Sequence, residues 1–210
     1  MTTSSRAQRK ARPVTLTWLQ RAALHYLERY ASSSENLRRV LARKVERRLR
    51  ERDEPLGEDE QAAARALVDA VVELALAGGY VDDARYAQAK VASLRRKGGS
   101  RRAIAARLHA RGLDRETIGR ALREHETQEA HSADGAGCEP DAERVAARAY
   151  ARRRRLGPFR PVGRAERRDR DVAAMVRAGF GYEVAREAID GERVEESGSI
   201  TGLSPFRPGR

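Results

Sequence analysis

The sequence predicts an all-α protein made of tandem three-helix repeats that form an elongated, curved helical array. Three observations lead to that class. Ala, Leu, Arg and Glu dominate the chain and β-branched runs are absent, so local propensity favours helix over strand. Apolar residues recur at helical spacing between breaks rich in Gly, Pro and Ser. The helical patterns also match one another at a constant offset, as stacked repeats do.

Residues 1–15 open with MTTSSRAQRKARP, polar, basic and without periodicity, and are expected to be a disordered arm. The first repeat is placed at 16–79. Thr17 and Gln20 have capping-box spacing, and Leu19, Ala23, Leu24, Leu27 and Tyr30 make a helical stripe. Ser32 with Glu35 offers a second capping box for a helix with Leu37, Val40, Leu41, Val45 and Leu49 inside. The stretch ERDEPLGEDE separates it from a third helix, where Leu67, Val68, Val71, Val72 and Ala75 form the apolar face, widened by Leu74 and Leu76 up to Gly78 and Gly79.

The second repeat, 80–126, is the most regular. Asp82 or Asp83 starts a helix carrying Ala87, Val91 and Leu94, which Gly98 and Gly99 end. Ser100 is the N-cap of a helix with Ile104 and Leu108, closed by Gly112, a residue that tolerates positive φ. Asp114 caps a third helix with Ile118, Ala121 and Leu122 inward. Residues 127–140, TQEAHSADGAGCEP, read as a linker.

The third repeat, 141–190, starts at Asp141 with Val145, Ala146 and Ala149 inward and is interrupted by LGPFRPVG. A helix over 167–178 carries Val172, Met175 and Val176, and a last short one carries Val184, Ala188 and Ile189. Residues 191–210 are expected to be a disordered tail.

An offset of 67 residues relates the copies. Leu41, Leu108 and Met175 share one slot; Val45, Gly112 and Gly179 share another. Ile118 matches Ala185, Ala121 matches Ala188, and Leu122 matches Ile189. Leu24 with Val91 and Leu27 with Leu94 carry the match back to the first helices. Leu37 and Ile104 face Asp171 in the third copy, so Val172 has to take that place.

Net charge is +12 with a pI near 10.7, which suits a polyanionic partner. The alternative is a genome that supplies arginine where lysine would serve, since only four of the 43 basic residues are Lys. The charge is also localised: residues 82–112 hold nine basic against two acidic side chains, and 141–180 hold twelve against five. Intervening segments are neutral or acidic, so the expected surface has patches. Cys138 stands alone, which excludes a disulfide framework and fits a reducing, cytoplasmic compartment. No apolar run approaches the roughly 20 residues that span a bilayer.

No constellation of catalytic type stands out, so the chain is expected not to be an enzyme and to hold no metal or cofactor. His25, His109, His125 and His131 lack partners at helical ligand spacing, and Cys138 lies in linker composition. Asp82 and Asp83 point apart on a helix start, where capping explains them. The GGSRR turn lacks the phosphate-loop spacing and its lysine. Its start either meets a phosphate through free N–H groups or merely joins two helices.

The candidate binding residues are therefore the basic runs: Arg95, Arg96, Lys97, Arg101, Arg102, Arg107 and Arg111 in the second repeat, and Arg152, Arg153, Arg154 and Arg155 in the third. They read as contacts to a DNA backbone or an acidic protein groove, or as a solvated face. Without interleaved aromatics, base stacking is not their mode.

These residues resemble those of the RecX regulatory proteins. The resemblance rests on ALHYLERYASSSENLRRVLARKV, on the stretch 79–122, and on MVRAGFGYEVAREAI. Tyr80, Asp82, Asp83, Tyr86 and Ala87, followed by Arg96, Lys97, Gly98, Ile104, Leu108 and Gly112, carry its most specific part. The resemblance implies tandem three-helix repeats without an enzymatic site. It also implies a RecA filament on single-stranded DNA as partner, with suppression of the ATPase, co-protease and strand-exchange activities. That places the chain in DNA repair, homologous recombination and the SOS response. Contact with single-stranded DNA would be weak and electrostatic, duplex contact is an open alternative, and the chain is read as a monomer off the membrane. A stand-alone DNA-binding protein with helix-turn-helix-like modules is the rival from another class, and a purely protein-binding scaffold is a third.

Overall fold

The computed structural model describes residues 13–50, 57–132 and 141–192, and every regular element among them is helical. In chain order these are α1 (Leu16–Leu27), α2 (Ser34–Leu49), α3 (Glu58–Ala77), α4 (Asp83–Arg96), α5 (Arg101–His109), α6 (Arg115–Ser132), α7 (Ala142–Arg154), α8 (Arg164–Arg177) and α9 (Tyr182–Asp190). A 3-10 turn, Gly157–Phe159, lies between α7 and α8.

Short polar side chains start most of these helices by accepting from N–H groups that have no intrahelical partner. Asp82 accepts from Arg85, Ser100 from Ala103, Asp114 from Thr117 and Asp141 from Glu143, at 2.8–3.1 Å. Two caps differ from the sequence expectation. Thr15, not Thr17, caps α1 through the Trp18 N–H. Ser33, not Ser32, caps α2, because the Ser32 hydroxyl is occupied by the Ser33 carbonyl and the Asn36 side chain.

Each group of three helices encloses its own apolar core: α1–α3 around Leu19, Leu37, Leu41 and Val72, α4–α6 around Val91, Ile104, Leu108 and Leu122, and α7–α9 around Ala147, Met175, Phe180 and Ile189. Leu41, Leu108 and Met175 are all buried, as are the pairs Ile118 and Ala185, Ala121 and Ala188, and Leu122 and Ile189. The first helices match differently from the expected pairing. Leu24 is exposed while Leu19 and Ala23 are buried. The observed match is Leu19 with Ala87, Ala23 with Val91 and Leu27 with Arg95, an offset one residue greater. The cause is the longer α1–α2 connection, which puts one residue more between the matched core positions Ala23 and Leu41 than between Val91 and Leu108 and so slides the helix by one position.

Tyr30, Leu74, Val145 and Val176, drawn inward from periodicity, are exposed. Neighbouring helix positions are about 100° apart, and a helix in a three-helix group covers only a narrow seam. The expected linker also begins later. Its first six residues, 127–132, continue α6, helped by the Thr127 hydroxyl donating to the Arg123 carbonyl. Residues 133–140, the first twelve residues, 51–56 and 193–210 lie outside the described part. The expected arm falls there except for 13–15, and the expected tail except for 191–192.

Asp171 occupies the slot held by Leu37 and Ile104, and Val172 enters the core beside it, as the offset requires. The buried Asp171 carboxylate accepts from the Gly157 N–H at 2.9 Å and from Arg160 Nε and Nη2 at 3.0 and 2.6 Å. It thereby pins the Gly/Pro interruption onto α8. Burial opposes its ionisation, but the Arg160 guanidinium and the Gly157 N–H outweigh burial and hold its pKa below the usual carboxylate range. A carboxyl with a depressed folded pKa contributes stability above its unfolded pKa and loses it as pH falls through the folded value. Asp171→Asn is therefore expected to cost about 1.5–3 kcal/mol at pH 7, typical for hydrogen bonds to a charged group. The gap between wild type and variant should close in acid denaturation below about pH 4. A gap that stays constant from pH 7 to pH 2 contradicts this account.

The three cores are joined in series by one device used twice. Ser33 Oγ, at the start of α2, donates to the Arg111 carbonyl at the end of α5, at 2.6 Å. Ser100 Oγ, at the start of α5, donates to the Ala178 carbonyl at the end of α8, at 2.7 Å. Donors and acceptors are each related by the 67-residue offset. At these joints Gly112 and Gly179 have φ of +84° and +95°. A Cβ on Gly112 would meet the Glu35 side chain, and one on Gly179 would meet Ser100 Oγ and Arg102 Cβ. Val45 fills the same slot in the first group as a core residue. Only the second and third groups have a preceding group pressed against that turn.

Candidate nucleic-acid and protein interface

The joint between the second and third groups is where the candidate residues gather. Gly98 ends α4 with φ of +71°, and its open face lies against the backbone of Ala146 and Tyr150 on α7. Arg96 and Lys97 precede that turn, and Arg153 and Arg154 follow Tyr150 by one turn of α7. Arg96 and Lys97 of the first basic block are thus brought toward Arg153 and Arg154 of the second, more than 50 residues further along the chain. Arg154 also lies over the Tyr150 ring, 5.9 Å from its centroid. Arg152–Arg154 form the last turn of α7, where the helix dipole favours cations, and Arg155 closes it in the left-handed conformation.

Arg96, Lys97, Arg102, Arg107, Arg111 and Arg152–Arg155 are exposed. Arg111 is shared with the other joint, reaching Asn36 Oδ1 at 3.4 Å.

Arg95 does not belong to this surface. It is 4% exposed and replaces the apolar Leu27 of the first group. Its guanidinium is held by Glu126 of α6, Glu143 of α7 and the Gly99 carbonyl. Four charges that would each be costly to bury alone are arranged as a chain, because Arg101 also pairs with Glu126 at 2.6 Å. Arg95 is an internal cross-link, and Arg101 is half engaged in the same one.

The Ser100 turn is likewise occupied. Glu143 Oε1 and Oε2 lie 3.2 and 3.1 Å from the Arg101 N–H, so the anion at the start of α5 is a carboxylate of the next group. The phosphate reading of that helix start is displaced. At the first joint Asp83 has the same role, accepting from the N–H and hydroxyl of Ser34 at 2.8 and 2.6 Å.

Sequence reasoning missed Asp83, Glu126 and Glu143 as joint residues. A signal for the hydroxyl half of the joint was available, since Ser33 and Ser100 stand at the repeat offset. None existed for Glu143, which partners α5 from across a different helix.

Beneath these charges lies an open groove of about 920 Å³ between α5 and α6 on one side and the starts of α7 and α9 on the other. Among the described residues no group of three His, Cys, Asp or Glu side chains could hold a metal ion, and no helix is long and apolar enough to cross a membrane. Cys138 lies outside those residues.

A family model described as RecX, second three-helix domain, matches residues 82–122, which span α4, α5 and most of the α6 face in the second core. The regulatory protein RecX of Myxococcus xanthus is 40% identical over 189 residues, covering 88% of this chain and 91% of that protein. The RecX of Agrobacterium fabrum is 30% identical over 192 residues, covering 91% of each. That of Mycobacterium ulcerans is 34% identical over 170 residues, covering 79% of this chain and 89% of its own. No solved structure matches the chain. With relatives matched along nearly their whole length and the second helical group matched by the family model, the chain belongs to the RecX family of regulatory proteins.

Proposed function

We propose that this protein is a non-enzymatic regulator that binds the RecA filament on single-stranded DNA and inhibits its ATPase, co-protease and strand-exchange activities. The observation that carries this reading is the convergence of two basic blocks at one joint of a serial helical array. The carboxylates of that joint are consumed by Arg95, Arg101 and the start of α5, which leaves Arg96, Lys97, Arg102, Arg107 and Arg153–Arg155 to face outward. Such an array presents spaced weak contacts, and contacts along a repeating partner add as avidity. Phosphates reached by these cations give salt-dependent, sequence-independent attraction.

The test is titration of the protein into a RecA ATPase assay on single-stranded DNA, beside a gel shift with DNA alone. The expected result is inhibition at concentrations where binding to DNA alone is weak and salt-sensitive. Tight, sequence-dependent duplex binding without RecA would instead make the chain an independent DNA-binding protein with helix-turn-helix-like modules. Negligible DNA affinity even at low salt, with inhibition retained, would make protein contact alone responsible.

A further inference from the structure

The groove between the second and third helical groups has a composition that the nucleic-acid reading does not use. Its floor is aliphatic, formed by Ala105, Ala106, Ile118, Leu122 and Val184, and no Phe, Tyr or Trp side chain lines it, the His109 imidazole at one edge being its one ring among the described residues. Its carboxylates are already matched: Glu126 by Arg95 and Arg101, Glu143 by Arg95 and the α5 N–H, and Asp141 by the start of α7 and Arg144. Two cations that line it, Arg102 and Arg115, are exposed and have no ion-pair partner among the described residues.

Both stand in the first turn of a helix, α5 and α6, where the dipole disfavours positive charge. The first group carries Glu35 at the position equivalent to Arg102, with its pKa lowered chiefly by the Arg38 hydrogen bond. The fold thus accepts the electrostatically better residue at that slot, yet holds an arginine over the groove. Positive charge beside an aliphatic floor complements an acidic, amphipathic protein segment. A nucleic-acid strand would find cations but only the His109 imidazole to stack on, not the row of rings on which successive bases stack.

We propose that this groove docks a partner-protein segment with aliphatic side chains on one face and Asp or Glu on its flanks. The aliphatic side chains fill the floor, and the carboxylates reach Arg102 and Arg115. A volume of about 920 Å³ is large enough for several such side chains. Because the walls come from two helical groups, occupancy also braces the joint between them.

Fluorescence anisotropy of the full chain tests this with three labelled probes. They are a 14-residue amphipathic helix of Leu, Ala and Glu, the same peptide with every Glu replaced by Lys, and a 14-nucleotide thymidine strand. The acidic peptide is expected to bind saturably and the Lys peptide not. Arg102→Glu with Arg115→Glu should weaken acidic-peptide binding at least tenfold. These variants place carboxylates in first turns, which the dipole favours, so helicity by circular dichroism should be unchanged. Ala106→Trp, which fills the groove and keeps the charge, should weaken the peptide equally while thymidine binding stays within twofold. Absence of saturable acidic-peptide binding overturns the proposal, as does indifference to both variants. Equal loss of peptide and thymidine binding in Ala106→Trp assigns the groove to nucleic acid and overturns it too.

Discussion

Replacing Arg96, Lys97, Arg153 and Arg154 together by Glu is expected to abolish inhibition of the RecA ATPase on single-stranded DNA while the helical fold persists. All four are exposed and lie on the two sides of the Gly98 turn. Each phosphate that no longer meets a cation should lower the dependence of log affinity on log salt by about 0.7 for a single strand. Removing several such pairings at once therefore costs orders of magnitude at moderate salt. The changes fall in the last turns of α4 and α7, where negative charge opposes the dipole by about 0.3–1 kcal/mol each. Arg101 is left unchanged on purpose. A carboxylate there would face Glu126 and Glu143 and break the joint, so that the absence of inhibition would report unfolding. Undiminished inhibition by the quadruple variant, with native circular dichroism, would remove the basic joint from the mechanism.

Gly98→Val is expected to separate the third helical group from the second. Gly98 has φ of +71°, a conformation that a β-branched residue adopts only under strain. A Cβ would sit 2.5 Å from the Tyr150 backbone nitrogen, 2.8 Å from its Cα and 2.9 Å from the Ala146 carbonyl oxygen. These are helix backbone atoms, which cannot swing aside as a side chain does. Gly112 is equally closed at the first joint: with φ of +84°, a Cβ there would overlap Cγ and Cβ of Glu35, whose carboxylate Arg38 and Arg39 hold. The expected loss for Gly98→Val is at least about 3 kcal/mol, within the range for backbone clash plus strain. Trp18, the sole tryptophan, packs against the first core, so its fluorescence reports that group, whereas circular dichroism reports all helices. In the variant the dichroism transition should broaden and begin at lower denaturant while the Trp18 transition moves little. Coincident transitions at the wild-type midpoint would show that the Gly98 contact does not hold the joint.

The two variants act on the same joint in opposite ways. One leaves its internal ion pairs and inverts its outer face; the other leaves the outer charges and parts the helices that carry them. If binding to the filament depends on both basic blocks acting together, each variant loses inhibition, but only Gly98→Val uncouples the unfolding of the third group from that of the first. Paired in this way, they separate charge from geometry.

Much of the helical organisation was legible in the residues. Ser100, Asp114 and Asp141 mark helix starts because short side-chain oxygens satisfy free N–H groups, a local effect. Leu41, Leu108 and Met175 fall in one buried slot because periodicity and repetition report the same face. The errors arose where neighbours competed. Ser32 and Ser33 both qualify as caps, and only the contact across to Arg111 selects Ser33. Leu24 qualifies for the stripe until the longer α1–α2 connection turns it outward.

The candidate site was legible as charge and not as geometry. Sequence counts Arg95, Arg96, Arg101 and Arg102 alike, because composition along a chain carries no information about which carboxylates fold back onto them. By itself the sequence determined the helices, the caps of α4 to α7 and the central positions of each core, all set by interactions between residues close in the chain or by periodicity. Only the tertiary structure decided which arginines are spent internally on Glu126 and Glu143, which remain outside, and that an aliphatic groove runs beneath them. Those outcomes depend on contacts between residues 25 to 78 positions apart, and such contacts exist only once the helices have packed.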